Sequence, residues 1–372
     1  MNIVHVNSYF ISNTLHYELV KELANYDKAY RQWIFVPLNK NITSSKAYPE
    51  SANINFWITP IFSTFQRYIW PLKIRTTYRI FLDRIKPLQP DITHSHSLIS
   101  NGIISYMYYK KNGTPYVVTV RNTDINVFMK KSFFFRWLGY RILENSSGIV
   151  VLSPSYKHLQ LKNVLSSLQY KSIKDKIQVI PNGVDGFWID NRYFKVNSNE
   201  ELQILFVGKL RPNKNILGLI ESCKILKSKG VKFKLHIVGD GYLRDRIANA
   251  AETINCNIHG FISDKEQLLE IYRKCDLLVV PSFKESFGLI YAEAMTQGLP
   301  VIYTKGQGFD GNFPEGHVGF SVDPNSPENI SDAILRTKEN LNSMSKNAYE
   351  AASTFSWRNN STLLNRLYQS VL

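Results

Sequence analysis

The stretch FKESFGLIYAEAM, residues 283–295, sets Glu285 and Glu293 eight positions apart in an otherwise apolar segment, with Phe287 and Gly288 between them. A carboxylate accepts hydrogen bonds from two neighbouring O–H donors, so such groups suit the hydroxyls of a sugar or a ribose. Gly288, at the start of a short helix closed by Gly298 and Pro300, would leave the first backbone N–H groups bare. With the helix dipole they form an anion site. The plain alternative is a surface Glu293 and a loop charge at Glu285, although the apolar setting YAEAM leaves little room for a broad polar face. Upstream, FVGKLRPNKN (206–215) turns at Gly208 and then crowds Lys209, Arg211 and Lys214 at the end of an apolar run. Cations beyond a strand end face an anionic ligand in open α/β sheets, and each phosphate contact contributes roughly 1.5–3 kcal/mol. A solvated basic loop fits the same residues. HIVGDGYLRDRI (236–247), with Gly239, has a G-x-G turn without the third glycine, which does not separate a nucleotide turn from an ordinary strand-to-helix turn.

The elements that must carry these residues follow from the apolar runs. NIVHVNS, RQWIFVPL, DITHSHS, YVVTVRN and GIVVLS in the first half, and LQILFVGKL, FKLHIVGDG, NIHGF, DLLVVPS, LPVIYTK and HVGFSVDP in the second, alternate with amphipathic stretches such as LHYELVKELANY. Short Val/Ile-rich runs separated by helical patterns predict buried parallel strands in βαβ units. The reading is therefore α/β: two Rossmann-like domains facing a cleft, 1–182 and 183–355, with the boundary at the turn IPNGVDG. A C-terminal helix, 356–372, is expected to pack back on the first domain.

Of 372 residues 44% are hydrophobic and 20% charged, as expected of a two-domain globular chain. Cys223, Cys256 and Cys275 are isolated, with no C-x-x-C spacing, so neither a disulfide framework nor a zinc site is expected and a reducing, cytosolic compartment fits. The N-terminus MNIVHVNSYF lacks a basic region followed by a long apolar one, and no run has the roughly 18 apolar residues of a membrane span. The net charge of +15 is unevenly placed: residues 1–180 hold 23 Lys+Arg against 9 Asp+Glu, the remainder 22 against 21. Such asymmetry predicts that the first half faces an anionic surface. Basic and aromatic residues interleave in FQRYIWPLKIRTTYRIFLDRIK (65–86) and VFMKKSFFFRWLGYRIL (127–143), as in a segment at the headgroups of an anionic bilayer. Core-facing helices with basic outer faces are the alternative. Phe133, Phe134 and Phe135 cannot all face one core.

In order, PNGVD, VGKLRPNKN, IVGDGYLRDRI, GFISDKEQLLEIYRKCDLLVVPS, KESFGLIYAEAMTQGLPVI and a late FSW resemble the retaining glycosyltransferases of family 4, which have the GT-B fold. DITHSHS, VVTVRN and VLSPS extend the resemblance through the first half, and KGQGFDGNFPEGHVG resembles bacterial capsule, teichuronic acid and O-antigen enzymes. The resemblance implies that Lys209 and Lys214 bind the donor diphosphate, that Glu285 binds the transferred sugar, and that Glu293 binds the ribose. It further implies that Ser286, Phe287 and Gly288 offer backbone N–H groups and that the turn around Phe261 lies against the base; Gly208 and Gly239 are further donor-binding candidates. Lys209 stands where the family more often has arginine, keeping the charge without the bidentate fork. Two positions depart from the family. SYFISNTLHYEL, with Asn13, replaces a glycine pair near the acceptor, and Arg121 replaces a histidine that contacts the sugar. His94 and His96 are acceptor-side candidates, with a buried structural role as the alternative.

The expected protein is a cytoplasmic enzyme, peripheral on the inner face of the cell membrane. It moves a sugar, with retention, from a UDP- or GDP-sugar to a lipid-linked saccharide in bacterial surface polysaccharide assembly. No metal and no cofactor are implied, since there is no D-x-D pair and the nucleotide sugar is a substrate; nor is nucleic acid a partner. Closure about PNGVD would exclude water. The rivals are a GT-B-fold sugar nucleotide epimerase and a non-catalytic membrane- or nucleic-acid-binding protein on a transferase scaffold.

Overall fold

A strand rich in Val, Ile and Leu on both faces belongs inside a parallel sheet covered by helices on each side. A computed structural model, which describes residues 1–12, 15–42, 53–194, 196 and 200–372, has two such sheets. The chain divides into Met1–Gly183 with Trp357–Leu372, and Val184–Ser356.

The first unit contains β1 (Asn2–Val6), β2 (Arg31–Asn39), β3 (Ile54–Phe62), β4 (Ile92–Ser95), β5 (Tyr116–Val120), β6 (Gly148–Val151) and β7 (Ile177–Val179). They pair in parallel in the order β3-β2-β1-β4-β5-β6-β7. The five strands expected from apolar runs fill the middle. The two that the runs did not reveal lie at the edges, where β3 tolerates Pro60 and β7 is only three residues long. One face of the sheet buries Val4, Val6, Phe35, Val118 and Ile149 under the helices Trp70–Ile85, Gly102–Asn112 and Phe133–Asn145. The other packs Ile3, Val117 and Val150 against Leu19 and Leu23 of the helix Leu15–Tyr26 and against the helix Trp357–Val371. The last helix fits because Leu364, Leu367 and Tyr368 recur at the i, i+3, i+4 spacing that makes one apolar stripe. Its first residue explains a glycine of the motif PNGVD: a methyl group on Gly183 would overlap the indole of Trp357.

The second unit contains β8 (Leu202–Val207), β9 (Phe233–Val238), β10 (Cys256–Gly260), β11 (Leu277–Val279), β12 (Val301–Thr304) and β13 (Gly319–Val322), parallel in the order β10-β9-β8-β11-β12-β13. All six correspond to the expected runs. In each sheet the order reverses beside its first strand, between β1 and β4 and between β8 and β11. That reversal opens a crevice beyond the carboxyl ends, where ligands bind in such folds. Among the described residues no disulfide joins the cysteines, and Cys223 and Cys275 are buried. Among the described residues no helix is long and apolar enough to cross a membrane.

Candidate active site

The reversal in the second sheet brings the loops after β8 and β11 together. After Val207 the chain turns at Gly208, passes the exposed Lys209, and winds one short turn, Pro212–Lys214, that ends with Asn215 in the left-handed region at φ 52°. Asn213 ties this turn to the other loop: its carbonyl accepts from the Phe283 N–H at 2.9 Å and its Nδ2 donates to the Lys284 carbonyl at 2.9 Å. Lys214 Nζ then meets Glu285 Oε2 at 2.6 Å, with side-chain exposures of 24% and 14%. At that burial the pair is more than a solvated surface bridge, because losing either partner strands the other charge partly out of water. Glu285 is further positioned by Gln307, whose Oε1 accepts from the Glu285 N–H at 3.1 Å, and Ser286 N–H donates back to Glu285 Oε1 at 3.1 Å. Gln307 was not singled out in the sequence. Its signal is the G-x-G after β12, where a Cβ on Gly308 would overlap the backbone of Ser286.

Gly288 adopts φ 79°, ψ 66° at the cap of the helix Leu289–Thr296, and a side chain there would overlap the ring of Tyr291. The Tyr291 hydroxyl donates to the Val280 carbonyl at 2.7 Å and locks that helix to the end of β11. Phe287 points inward against Phe309 and Phe355, which fixes the loop, while Ser286 is exposed. Glu293 lies one face further on. The Tyr272 hydroxyl donates to its Oε2 at 3.5 Å, and burial, helped by the Asp185 carboxylate, pushes the Glu293 carboxyl up to about 7. The two glutamates thus occupy different surroundings, one paired with a lysine and one held near neutrality.

A cavity of about 630 Å³ opens at the ends of β8, β9 and β10. Gly208, Lys209, Arg211 and Gly239 line it, and Tyr242 and Phe261, each 74% exposed, stand at its wall. Tyr242 is a second residue that sequence reasoning passed over; its only signal is an aromatic just after the Gly-Asp-Gly turn. The glycines of that turn have a structural cause as well. Side chains on Gly239, at φ 140°, or on Gly241 would overlap the backbone of Gly208 and Leu210, so the close approach they permit is between two loops of the protein. Lys214, Glu285, Ser286, Phe287, Gly288 and Glu293 do not line this cavity.

The reversal in the first sheet gathers histidines. Register sets His5 of β1 beside His94 of β4, and His5 Nδ1 lies 3.0 Å from His96 Nε2 while its Nε2 lies 3.1 Å from Gln32 Oε1. His94 is buried with both ring nitrogens engaged, Nδ1 with the Tyr368 hydroxyl at 2.6 Å and Nε2 with Thr119 Oγ1 at 2.9 Å, so neither is left for an acceptor. His96 is buried too. Its Nδ1 and that of His16 have no hydrogen-bond partner among the described residues. Their rings meet edge to face, 5.2 Å between centroids. Burial holds His5 down at about 4 and pushes His16, His94 and His96 well below 6.5, with the nearby Arg121 adding to the effect, so all four are neutral at pH 7. His5, His94 and His96 offer ligand atoms within 4.8 Å of one another, but the hydrogen bonds above already occupy both nitrogens of His5 and of His94. Arg121 donates from Nε to the His96 carbonyl at 3.1 Å and from Nη1 to Asn182 Oδ1 at 3.2 Å. Burial lowers it to about 10, still charged at neutrality. Buried Asp124 braces this corner by accepting from the N–H groups of Leu98, Ile99 and Arg121 at 2.8–3.0 Å. Asn13 lies outside the described residues.

Fold and site define a doubly wound protein with a cation-lined crevice at the switch point of its second sheet, where anionic ligands bind in this class. Comparison places the chain more closely. A model of the glycosyl transferases group 1 matches residues 188–353 and one of glycosyltransferase family 4 matches residues 13–186. The chain carries both glycosyltransferase domains, in that fold. An uncharacterised glycosyltransferase of Methanocaldococcus jannaschii is 27% identical over 285 residues, 75% of each chain. The D-inositol 3-phosphate glycosyltransferase of Corynebacterium glutamicum is 30% identical over 55% of this chain and 54% of its own. The capsular polysaccharide biosynthesis glycosyltransferase CapM of Staphylococcus aureus is 26% identical over 59% of each. Among solved structures, the lipopolysaccharide outer core galactosyltransferase WaaB (17% identity, all of both chains, TM-score 0.77) shares the fold. So does Anabaena HepE in complex with UDP-glucose (16%, all of both chains, TM-score 0.67).

Proposed function

We propose that the protein is a retaining, metal-independent hexosyltransferase that carries a sugar from a nucleoside diphosphate sugar, UDP- or GDP-linked, to a lipid-linked saccharide in bacterial surface polysaccharide assembly. The observation that carries the reading is the Lys214–Glu285 pair at 2.6 Å, at the switch point whose neighbouring strand ends form the 630 Å³ cavity. The base lies between Tyr242 and Phe261, and Glu293 takes the ribose hydroxyls. Lys209 and Lys214 neutralise the diphosphate, and Glu285 accepts from hydroxyls of the sugar. In the reaction the bond from the anomeric carbon to the diphosphate oxygen breaks as the acceptor hydroxyl adds on the same face. The hydroxyl proton passes to the departing phosphate oxygen, and the charge that develops there is what the two lysines stabilise. Arg121 stands on the acceptor side as a fixed cation. CapM and WaaB, named for capsule and lipopolysaccharide, support the polysaccharide acceptor, and the UDP-glucose bound to HepE supports the donor.

The test is incubation with UDP- and GDP-sugars and a lipid-linked saccharide extract, with the new anomeric signal read by NMR. A product with the donor's configuration is expected. An inverted product, or an isomerised sugar nucleotide from donor alone, refutes it. Tyr242→Ala and Phe261→Ala are each expected to weaken donor binding by about ten-fold, as loss of a stacking contact does.

A further inference from the structure

The two basic-aromatic segments of the first unit, about 60 residues apart in sequence, form one surface. Phe135 turns inward, its ring 5.3 Å from Trp70 and 5.1 Å from Phe128. Trp70 also meets Phe134 edge to face at 5.8 Å, and through it the helix starting at Trp70 abuts the helix starting at Phe133. What remains outside is unusual for a water-facing helix. Phe133 is 82% exposed, Phe134 49% and Trp137 53%, and Trp137, at i+4 from the first and i+3 from the second, neighbours both on the helix whose start Ser132 caps. Lys130, Lys131 and Arg136 are exposed beside them. Residues 64–82 and 125–143 contain no Asp or Glu; the acidic residues at their ends are Asp83, the buried Asp124, and Glu144, which pairs with Arg141.

We infer that Phe133, Phe134 and Trp137, flanked by Lys130, Lys131 and Arg136, are a docking face for an anionic phospholipid bilayer. Three large rings projecting from a helix end suit insertion at headgroup depth, where aromatic side chains sit with one edge wet, and the cations around them match acidic headgroups. A second copy of the chain fits poorly, because a two-fold interface would set this uncompensated cationic face against itself. The inference is independent of the donor and acceptor proposed above, and its test uses neither.

The whole protein is mixed with vesicles of phosphatidylcholine alone or with 30% phosphatidylglycerol, and binding is followed by flotation and by quenching of tryptophan with brominated acyl chains. Binding to the anionic vesicles only, with quenching, is expected. Phe133→Ser with Phe134→Ser should weaken it by at least about ten-fold and remove the quenching. Lys130→Gln with Lys131→Gln should weaken it by about twenty-five-fold, roughly five-fold for each charge, with the loss greatest at low salt. The lysine variant should melt with the parent, as its side chains are exposed, whereas the serine variant also loses the Phe134 ring on Trp70 and should melt slightly lower while remaining folded. The inference is overturned if the parent does not bind anionic vesicles, or if both variants bind as the parent does. It is also overturned if light scattering shows a dimer that Phe133→Ser dissociates, which would assign the face to self-association.

Discussion

Glu293 carries a charge that the fold opposes, and replacing it with glutamine should stabilise the protein while impairing it. In an unfolded chain this carboxyl titrates near 4.5, and burial beside Asp185 raises it to about 7 in the folded unit. Between those values the folded state keeps a proton that the unfolded state has released. Ionisation therefore costs stability progressively as pH rises from 4.5 to 7, and the cost stays fully present above 7. A displacement of that size corresponds to about 3 kcal/mol, at about 1.4 kcal/mol for each pH unit. Glutamine cannot ionise and fills nearly the same volume. Glu293→Gln should then leave stability nearly unchanged at pH 4.5 and raise it by up to about 3 kcal/mol at pH 8, less whatever the Tyr272 hydrogen bond loses. Urea unfolding at pH 4.5, 6 and 8 measures the difference. A gain at pH 8 no larger than at pH 4.5 would refute the reasoning. If the carboxyl reads ribose hydroxyls, the same variant should lose about ten-fold in nucleotide affinity, one charge-assisted hydrogen bond.

The histidines of the first unit predict the opposite pH dependence. A group whose basicity is depressed on folding supports stability above its unfolded value of 6.5, and that support is lost as pH falls toward about 4, where His5 itself protonates. His5 alone accounts for about 3 kcal/mol across that window. Five of the six tryptophans, Trp33, Trp57, Trp70, Trp137 and Trp357, lie in the first unit, so the fluorescence-detected transition should move to lower temperature between pH 6.5 and 4.5. Gly183→Ala should cost about 2–3 kcal/mol, read by urea unfolding, because its methyl group meets the buried indole of Trp357.

How much of this was legible in the sequence depends on the length of the signal. The six strands of the second sheet and the five central strands of the first announced themselves as apolar runs, because a strand covered on both faces has no polar side to confuse the pattern. β3 and β7 did not, one being half-exposed and interrupted by Pro60, the other three residues long. At the site, Glu285 and Lys214 were chosen from type and position, and the structure joins them across 71 residues. Gln307 and Tyr242 had only short local signals, a G-x-G and an aromatic after a glycine turn, since the first acts through a loop from another strand and the second through the cavity it borders. The histidines show the limit most plainly. DITHSHS drew attention to His94 and His96, yet His5, set beside His94 by strand register, and His16, brought to His96 by the packing of the helix Leu15–Tyr26, complete the cluster from elsewhere in the chain. Gly239 was read as a place for ligand approach, and its backbone in fact accommodates the loop of Gly208 as well.

The most direct measurement is calorimetric titration of nucleoside diphosphates and their sugars into the protein and into Lys214→Ala. One saturable site is expected for a uridine or guanosine diphosphate sugar, weakened at least about ten-fold in the variant by loss of a charge-assisted phosphate contact. Equal affinity in the two proteins, or no binding of any nucleotide to the parent, would contradict it.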